Sequence, residues 1–336
     1  MLNSIDIPKQ KIAIIGAGLA GLTCATELQA RGFIVELFEK SRGASGRMST
    51  RRSSDWSADH GAQYFTARDP AFIEAVTGWV NQQQVALWMP NLKVFEDGHW
   101  RDSQSTDKRY VAVPAMNSLG KHLAKHLPIQ FEQTISQIER VGGTWVLHSS
   151  ETGRIDTTYD GLVLAIPSPQ ALVLVKDVDS AASTIADAGN MNACWTLMVK
   201  FATPPVSDLD AGFVNNEIIS WVCRNNSKPE RAGEDYWVVH ANPQWSQTFV
   251  ELSKEEATAQ MIACLARLGF DCKGAEITTH RWRYASGSLA TQAECYLSSE
   301  ISLGLCGDWL HGGRVEGAWL SGHKLATRLA SSLAQV

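Results

Sequence analysis

The sequence predicts an α/β protein in which the two ends of the chain form one domain and the middle is inserted as a second, mixed α+β domain. A short, continuously apolar run at Lys11–Gly16 is followed by a glycine-rich turn, a helix-like stretch and a second predicted strand at Ile34–Lys40. Near the carboxyl terminus the same order returns, because the run ISLGLCG precedes a helical pattern of leucines. Continuous apolar runs of this length are typical of parallel strands buried on both faces.

The elements between these ends are of both types. Apolar residues at helical spacing predict helices over 69–84, 117–126 and 254–268. From Thr134 to Pro167, short alternating runs separated by glycine-containing turns predict a three-stranded meander that leads back into a buried strand. Residues 171–297 show less pattern, apart from the last of those helices and strand-like pieces such as CWTLMVKF and YWVVHAN.

Composition and charge exclude several classes of protein. The 336 residues carry a formal net charge of −5, so no basic field is present and a nucleic-acid partner is not expected. Seven cysteines occur singly without a CxxC pair, which predicts a reducing, cytoplasmic location and no disulfide framework. No metal site is expected, since His122 and His126 are the only potential ligands at suitable spacing. The sequence contains no run of about 20 apolar residues, so no membrane span is expected. The oligomeric state is left open by the sequence.

The glycine-rich turn has the spacing of a dinucleotide-binding loop. Gly16, Gly18 and Gly21 form GxGxxG between the first strand and the first helix. In this motif the first glycine permits the tight turn, the second lets a pyrophosphate approach the helix amino terminus, and the third lets helix and strand pack closely. Glu39, at the end of the second strand, is placed to bind a ribose diol. A Rossmann-like domain is therefore expected, but the motif does not distinguish NAD from FAD.

The loop after this acidic residue favours a long dinucleotide. In SRGASGRM, Gly43 and Gly46 allow a second close approach of the backbone, and Arg47 offers a forked donor to phosphate oxygens. The alternative is a solvated basic loop, and the residues of this loop alone do not decide between the two.

Segments spread over nearly the whole chain resemble the flavin amine oxidase superfamily and, within it, the renalase-like proteins. They are, in order, GAGLAG, FEKSRGASGRMST, DHGAQYFTARD, RYVAVPAMNSL, GLVLAIPSPQ, RNNSKPER, HRWRYA and CGDWLHGGRVEGAWLSG. The resemblance implies FAD as cofactor and hydride transfer to it. It also implies a discontinuous FAD-binding domain, Rossmann-like with a β-meander, formed by residues 1–66, 108–170 and 298–336. The substrate domain would then comprise residues 67–107 and 171–297.

The same resemblance assigns the cofactor-binding residues. Glu39 would bind the adenosine ribose, Ile135 would meet adenine through its backbone, and Asp308 would bind a ribityl hydroxyl. The segment Gly61–Gln63 would edge the isoalloxazine ring. Ser45 departs from the pattern, because many members have glycine there. The full expected set is Gly16, Gly18, Leu19, Ala20, Gly21, Glu39, Lys40, Gly46, Arg47, Met48, Gly61, Ala62, Gln63, Ile135, Ala165, Gly307, Asp308, Gly317 and Ala318.

Three features near the carboxyl terminus bear on the flavin site and on the subfamily. Gly317 and Ala318 are expected to open the final helix, whose amides and dipole can stabilise negative charge on reduced flavin. Classical amine oxidases have an aromatic residue three positions before that glycine, where this chain has Arg314; a fixed cation disfavours cationic amines and favours anionic substrates.

Cys295-Tyr296 is similar to the cysteine that tethers FAD in some amine oxidases, but Ala293-Glu294 precede it instead of two glycines. FAD is therefore expected to be noncovalent.

Substrate contacts are expected mainly from the middle of the chain. The candidates are Gln63, Tyr64, His240, Trp282 and Arg314. Four tryptophans in this region could together hold a flat substrate ring against the flavin, although most large aromatic residues simply belong to a core. They are Trp221, Trp237, Trp245 and Trp282. For His240 the alternative is a structural role on its strand. Four cations are either phosphate contacts or surface charges: Arg224, Lys228, Arg231 and Arg283.

The activity that the resemblance implies is oxidation of dihydronicotinamide dinucleotides, isomers of NAD(P)H, with dioxygen as acceptor and hydrogen peroxide as product. Such a reaction needs little acid–base machinery, because a dihydropyridine already carries a transferable hydride. Two alternatives stay open: an amine oxidase or desaturase of the same superfamily, and a flavin-binding protein without turnover that serves as a redox sensor. The substrate isomer and the preference for NAD or NADP are not determined by the sequence.

Overall fold

The computed structural model describes residues 9–53, 56–205, 208–288 and 293–334. The chain divides into two compact units, and each is assembled from separate segments. The first unit comprises Met1–Gly46, Gly120–Asn190 and Gly287–Val336, and the second comprises Arg47–Leu119 and Met191–Ser286. The domain limits expected from the sequence differ from these unit limits and stay predictions.

The helices begin at recognisable sequence signals. Asp69 accepts a hydrogen bond from the Ala71 amide ahead of α2, and Ser253 with Glu256 forms a capping box at the start of α7. In chain order the helices are α1 (Leu19–Ala30), α2 (Pro70–Asn81), α3 (Asn117–Ala124), α4 (Ser168–Val175), α5 (Ser180–Asp187), α6 (Pro243–Thr248), α7 (Lys254–Arg267) and α8 (Val315–Leu333). Short 3₁₀ turns occur at Asn225–Ser227 and Asp308–Leu310.

The strands are short in most of the chain. In chain order they are β1 (Lys11–Ile15), β2 (Ile34–Glu39), β3 (Thr50–Arg52), β4 (Ser57–Asp59), β5 (Val85–Trp88), β6 (Leu92–Glu96), β7 (His99–Asp102), β8 (Arg109–Ala112), β9 (Ile129–Phe131), β10 (Ile135–Val141), β11 (Thr144–Ser149), β12 (Gly153–Arg154), β13 (Gly161–Leu164), β14 (Asn190–Lys200), β15 (Ala211–Val214), β16 (Ile219–Arg224), β17 (Trp237–Ala241), β18 (Glu276–Ser288), β19 (Tyr296–Ser298) and β20 (Leu303–Leu305).

The first unit is built on a sheet with the strand order β19-β20-β13-β1-β2-β9. All neighbours are parallel except the edge pair β19-β20. Ile12 and Ile14 of the central strand β1 are fully buried, as expected for a strand covered on both faces. Helices α1 and α8 pack so closely that a Cβ on Gly322 would overlap the carbonyl oxygen of Ala20. The predicted meander is present as the separate sheet β10-β11-β12.

The second unit contains a sheet with the order β18-β14-β17-β16-β15-β6-β7. One face carries an apolar core that includes Leu197, Val239 and residues of α7. The register places Thr196 opposite His240, and His240 opposite Trp221. Because side chains alternate along a strand, these three side chains share the other face of the sheet.

The structure confirms the elements that the sequence showed most clearly: the β1-α1-β2 unit, the meander and the helices α2, α3 and α7. The sequence did not predict β5 to β8, nor the helices α4 and α5. Within the described residues, no helix is both long and apolar enough to cross a membrane. The same residues contain no group of three or more histidine, cysteine or carboxylate side chains arranged to hold a metal ion.

Candidate functional site

The glycine-rich turn of the first unit needs glycine at two positions for steric reasons. Gly16 has φ +103°, and a Cβ there would lie 2.5 Å from the carbonyl oxygen of Ala165. A Cβ on Gly21 would overlap the carbonyl oxygen of Gly16, so this glycine lets α1 pack against β1. Gly18 differs from both, because a Cβ there would meet nothing within 4 Å. The open space above Gly18, at the amino terminus of α1, is where the motif places a pyrophosphate.

Glu39 ends β2 and faces the same turn. The residue is buried, and its Oε2 accepts a hydrogen bond from the Ala17 amide at 2.9 Å. Its Oε1 accepts one from the Ser41 amide at 2.8 Å. The carboxylate therefore already organises the backbone on both sides, and it retains acceptor capacity for a diol, since a carboxylate has about four lone-pair sites. The adjacent Lys40 is exposed.

The loop after β2 touches the glycine-rich turn. The amide of Ser45 donates to the carbonyl oxygen of Ala17 at 2.9 Å, and a Cβ on Gly46 would lie 3.2 Å from the Cα of Gly18. Ser45 itself has φ +104°, a conformation that favours glycine. This backbone geometry is one that glycine adopts without strain, which agrees with the glycine that the resemblance leads us to expect at the position of Ser45.

The carboxyl-terminal part of the first unit holds Asp308 in a tight turn. Asp308 is buried, and its carbonyl oxygen accepts hydrogen bonds at 2.8 Å from the amides of His311 and Gly313. A Cβ on Gly317 would overlap the carbonyl oxygen of His311, which gives this glycine a packing role. The Gly307 amide donates to Ser321 Oγ of α8 at 3.0 Å.

The expectation that Gly317 and Ala318 open the last helix is wrong. Helix α8 begins two residues earlier, at Val315, with Arg314 as its N-cap. The Ala318 amide already donates to the Arg314 carbonyl oxygen at 3.0 Å, so it lies inside the helical hydrogen-bond ladder. The amides without an intrahelical acceptor are those of the first turn, before Ala318.

Four residues of the expected cofactor set lie at one edge of the first unit's sheet. Gly16, Glu39, Ala165 and Gly307 stand at or just after the carboxyl ends of β1, β2, β13 and β20, which are adjacent and parallel. In open α/β sheets, ligands bind at this edge. With the space above Gly18, this arrangement fits an FAD-type dinucleotide. Ile135 begins β10 of the meander and is buried.

In the second unit, the expected flavin-edge segment Gly61–Gln63 is fastened to the Arg47 backbone. The Ala62 amide donates to the Arg47 carbonyl oxygen at 2.9 Å, and a Cβ on Gly61 would overlap that same oxygen. Arg47 Nη1 donates to the carbonyl oxygen of Ala285 at 3.2 Å, and Met48 is buried. Gln63 Nε2 donates to the carbonyl oxygens of Asp59 and Gly61.

A buried ionic cluster adjoins this segment. Asp59 Oδ2 lies 2.8 Å from Arg231 Nη2 and 3.4 Å from Lys228 Nζ, and all three side chains are almost fully buried. Asp59 Oδ1 accepts from Thr50 Oγ1 at 2.6 Å and from the Met116 amide at 3.0 Å. Burial alone would raise the pKa of Asp59, but Lys228, Arg231 and these hydrogen bonds outweigh it and lower the pKa. The carboxylate is therefore ionised and neutralised.

A second cluster combines three histidines with Trp282. The His60 ring stacks on Trp282 at 5.0 Å between centroids and meets His280 edge-on at 4.9 Å. The His60 carbonyl oxygen accepts from Trp282 Nε1 at 3.0 Å and lies 3.3 Å from His240 Nε2. Burial lowers the pKa of His60 to about 3, and the pKa values of His240 and His280 to about 4. All three imidazoles are therefore neutral at neutral pH.

Tyr64 belongs to an aromatic group on the second unit. Its ring lies 5.5 Å from Trp221 and 6.1 Å from Trp88, and Arg109 stacks over it at 5.3 Å. Trp237 is a core residue, and Trp245 packs against the same apolar cluster. Trp237 and Trp245 thus belong to the apolar core side of the sheet, whereas Trp221 lies on the face that carries His240.

The four candidate phosphate-binding cations all have carboxylate partners. Arg224 pairs with Asp235 at 2.9 Å, and Arg283 with Glu251 at 2.6 Å. Lys228 and Arg231 share Asp59 inside the protein. None of the four is thus a solvated surface charge without a partner, and the two buried cations are enclosed by protein.

Cys295 has the environment of an ordinary thiol. It is buried, Arg328 Nη1 lies 3.6 Å from its Sγ, and burial raises the pKa of the thiol. A raised pKa reduces the thiolate fraction and hence the reactivity towards a flavin.

Comparison with known proteins adds two matches to families. A profile described as NAD(P)-binding Rossmann-like domain matches residues 14–77, and one described as flavin containing amine oxidoreductase matches residues 85–330. The 4,4'-diapolycopene oxygenase of Methylomonas sp is 32% identical over 101 residues, which are 30% of this chain and 19% of that protein. This chain therefore matches only a small part of that relative.

Several solved structures share the fold at low sequence identity. Cyclohexylamine oxidase from Brevibacterium oxydans IH-35A is 11% identical with a TM-score of 0.76, covering 97% of this chain and 100% of that one. The CLA-producing fatty acid isomerase from P. acnes is 12% identical with a TM-score of 0.75, covering 97% and 99%. Putrescine oxidase bound to putrescine is 13% identical with a TM-score of 0.74, covering 96% and 99%. One fold thus serves oxidases and an isomerase, so it does not determine the reaction.

The fold and the first-unit site define a dinucleotide-binding α/β protein of the flavoprotein class. Because the second profile spans most of the chain, the protein belongs to the flavin containing amine oxidoreductase family. Membership implies FAD as the cofactor and oxidoreductase chemistry.

Proposed function

We propose that the protein is a renalase-like oxidoreductase that holds FAD noncovalently and oxidises isomeric dihydronicotinamide dinucleotides. The observation that carries the proposal is Arg314, which is exposed and occupies the N-cap position of the 19-residue helix α8 without a side-chain capping hydrogen bond. A guanidinium keeps its proton at all working pH values, and the helix dipole adds positive potential at the same end. The family pattern places this end at the flavin, where classical amine oxidases have an aromatic residue.

The charges of the second unit support the same substrate class. A protonated amine needs a carboxylate or an aromatic cage, and Asp59, the buried carboxylate beside Gln63, is already neutralised by Arg231 and Lys228. The three histidines around Trp282 are neutral, so they can exchange hydrogen bonds with a neutral ring without carrying charge. A dihydronicotinamide ring is neutral and carries its phosphates on a tail.

The protein's contribution to the reaction is placement and electrostatics. When bound, FAD would supply a hydride acceptor for the substrate and a two-electron donor for dioxygen, so that substrate, dioxygen and a solvent proton would give NAD(P)+ and hydrogen peroxide. The glycine-rich turn would hold the pyrophosphate of FAD, and Glu39 would hold its adenosine ribose. Arg314 and the first turn of α8 favour negative charge at their end of the helix. No side chain is required to remove a proton from the substrate.

Anaerobic mixing with candidate reductants tests the proposal. We expect isomeric dihydronicotinamide dinucleotides to bleach the flavin absorption band rapidly and simple primary amines to leave it unchanged. Arg314→Tyr should slow the reduction, whereas Arg154→Tyr, at an exposed position of β12, should not. A protonated amine about 5 Å from Arg314 would experience repulsion of order 1 kcal/mol or more at intermediate dielectric.

The other outcomes of this experiment identify the alternatives. Efficient reduction by a primary amine would replace the renalase-like assignment with an amine oxidase. If no reductant bleaches the band, the protein is a flavin-binding protein without turnover. Both results leave the family assignment intact.

A further inference from the structure

The buried ionic cluster of the second unit contains two cations, Lys228 and Arg231, but only one carboxylate, Asp59. Arg231 contacts Asp59 Oδ2 through both Nε, at 3.1 Å, and Nη2, at 2.8 Å, and so neutralises the carboxylate. Lys228 Nζ lies further away, at 3.4 Å, on a side chain with no exposure to solvent. A buried ammonium group is unfavourable unless it is paired and hydrogen-bonded. Asp59 alone therefore does not explain why Lys228 is buried.

The closest contact of Lys228 is with a different residue. Its Nζ donates to Gln63 Oε1 at 3.1 Å, nearer than to Asp59, and lies 5.8 Å from the centre of the Trp88 ring. An ammonium group only donates hydrogen bonds. Lys228 therefore requires the oxygen of the Gln63 amide to face it and forbids the flipped orientation.

This orientation determines where the amide nitrogen of Gln63 points. With Oε1 held by Lys228, Nε2 donates to the carbonyl oxygens of Asp59 and Gly61. The Ala62 amide is bonded to the Arg47 carbonyl oxygen, and Gly61 packs against that oxygen without room for a Cβ. Two sets of contacts thus fix the backbone from Asp59 to Gln63. One is the pair of hydrogen bonds from the Gln63 side chain, and the other is the contact with the Arg47 carbonyl oxygen.

We propose that Lys228 is a positioning residue for the cofactor, which acts by locking the Gln63 amide and through it the backbone of the segment 61–63. The inference rests on the proposed function in one respect, since the family pattern puts this segment at the edge of the isoalloxazine ring. Gln63 is then a brace within the protein, because both its donors and its acceptor are engaged by protein atoms. The side-chain amide of Gln63 is therefore engaged within the protein and is not the group that would bind the cofactor.

The variants Lys228→Met and Gln63→Leu, made in the full-length protein, separate positioning from simple stabilisation. In Lys228→Met, Asp59 and Arg231 remain as a neutral pair, so the melting temperature of the FAD-free protein should be unchanged or higher. The affinity for added FAD should fall about tenfold, as for loss of one hydrogen bond to a charged group, and the visible bands of bound FAD should shift. Gln63→Leu should reproduce both flavin effects without touching any charge.

The double variant and a control complete the test. Because both substitutions break one contact, the double variant should bind FAD no more weakly than the poorer single variant. Lys200→Met, which removes a lysine paired with Glu234 at the surface of the same unit, should leave the affinity and spectrum unchanged.

Three results would overturn the inference. They are a fall in melting temperature with unaltered FAD affinity and spectrum in Lys228→Met, additive effects in the double variant, and a Gln63→Leu protein that binds FAD as the parent does. The last applies even if Lys228→Met fails to fold. A parent protein without FAD would instead refute the proposed function, so the two failures are distinguishable.

Discussion

The glycine-rich turn of the first unit and the buried ionic cluster of the second differ in how the sequence encodes their contacts. In the turn, the requirements are local: a left-handed φ at Gly16, no room for a Cβ at Gly21, and an acidic residue 18 positions later at Glu39. In the buried ionic cluster, the contacts of Lys228 join residues far apart in the sequence, since Asp59 lies 169 positions away and Gln63 lies 165 positions away. Local constraints appear in a sequence as residue types at fixed spacing, whereas long-range partnerships do not.

The largest expected effect tests the packing role of Gly21. Gly21→Ala would drive a Cβ into the Gly16 carbonyl oxygen, where the backbone cannot yield, and should lower the free energy of unfolding by about 3 kcal/mol or prevent folding. Chemical denaturation of the purified protein measures this. A Gly21→Ala protein as stable as the parent would show that α1 can move away from β1.

Glu39→Ala should reduce both stability and cofactor retention. The substitution leaves the Ala17 and Ser41 amides without their acceptor, and it removes the expected ribose ligand. We expect FAD retention to weaken by about 1–3 kcal/mol, the range for unpaired buried polar groups. Equilibrium dialysis gives the affinity, and the melting curve of the FAD-free protein gives the stability. Unchanged FAD affinity would remove Glu39 from the cofactor site.

Gly18→Ala should weaken FAD binding without changing the fold. Its φ is −75°, and a Cβ would meet no protein atom within 4 Å, so the FAD-free protein should melt at the parent temperature. The methyl group would occupy the space expected for the pyrophosphate, and affinity should fall about tenfold, or 1.4 kcal/mol. Gly78→Ala in α2, also in open space, is the matched control and should bind FAD normally. Normal affinity in Gly18→Ala would place the phosphates elsewhere.

The histidines of the second unit should make stability depend on pH. Their pKa values are lowered by burial to about 3 for His60 and about 4 for His240 and His280, from an ordinary value of 6.5. The unfolded state then binds more protons, so stability is complete above pH 6.5 and declines as the pH falls towards 4. Melting temperatures between pH 8 and pH 5 measure this, and His280→Asn should flatten the decline. A flat profile in the parent would mean that the rings are solvated.

The sequence predicted the first unit better than the second for the same physical reason. Strand β1, the turn and the meander were predicted because periodicity and glycine spacing express their backbone needs directly. The start of α8 was misplaced because Gly317 was interpreted as the first residue of the helix. The structure shows that glycine is needed there for packing, since a Cβ would overlap the His311 carbonyl oxygen. The role of Lys228 was not predictable, since a lysine in RNNSKPER resembles a surface charge until the fold brings Asp59 and Gln63 to it.

The resemblance supplied what the residue pattern could not. Cys295 shows the limits of both: it is buried and burial raises the pKa of its thiol, whereas the sequence spoke against a tether only through the missing glycines before it. His60 was not among the candidate site residues, although it accepts hydrogen bonds from Trp282 and lies beside His240. The available signal was its place beside Gly61–Gln63 in DHGAQ, the segment expected at the flavin edge.

The most direct test of the account is the identity and attachment of the cofactor in the protein as purified. Acid precipitation should release FAD into the supernatant, where mass analysis identifies it, and should leave a colourless protein pellet. This expectation follows from our proposal that the first unit binds FAD noncovalently, with the pyrophosphate in the open space above Gly18 and no bond to Cys295. A yellow pellet would contradict noncovalent binding. A supernatant that contains NAD or no dinucleotide would contradict the FAD assignment itself.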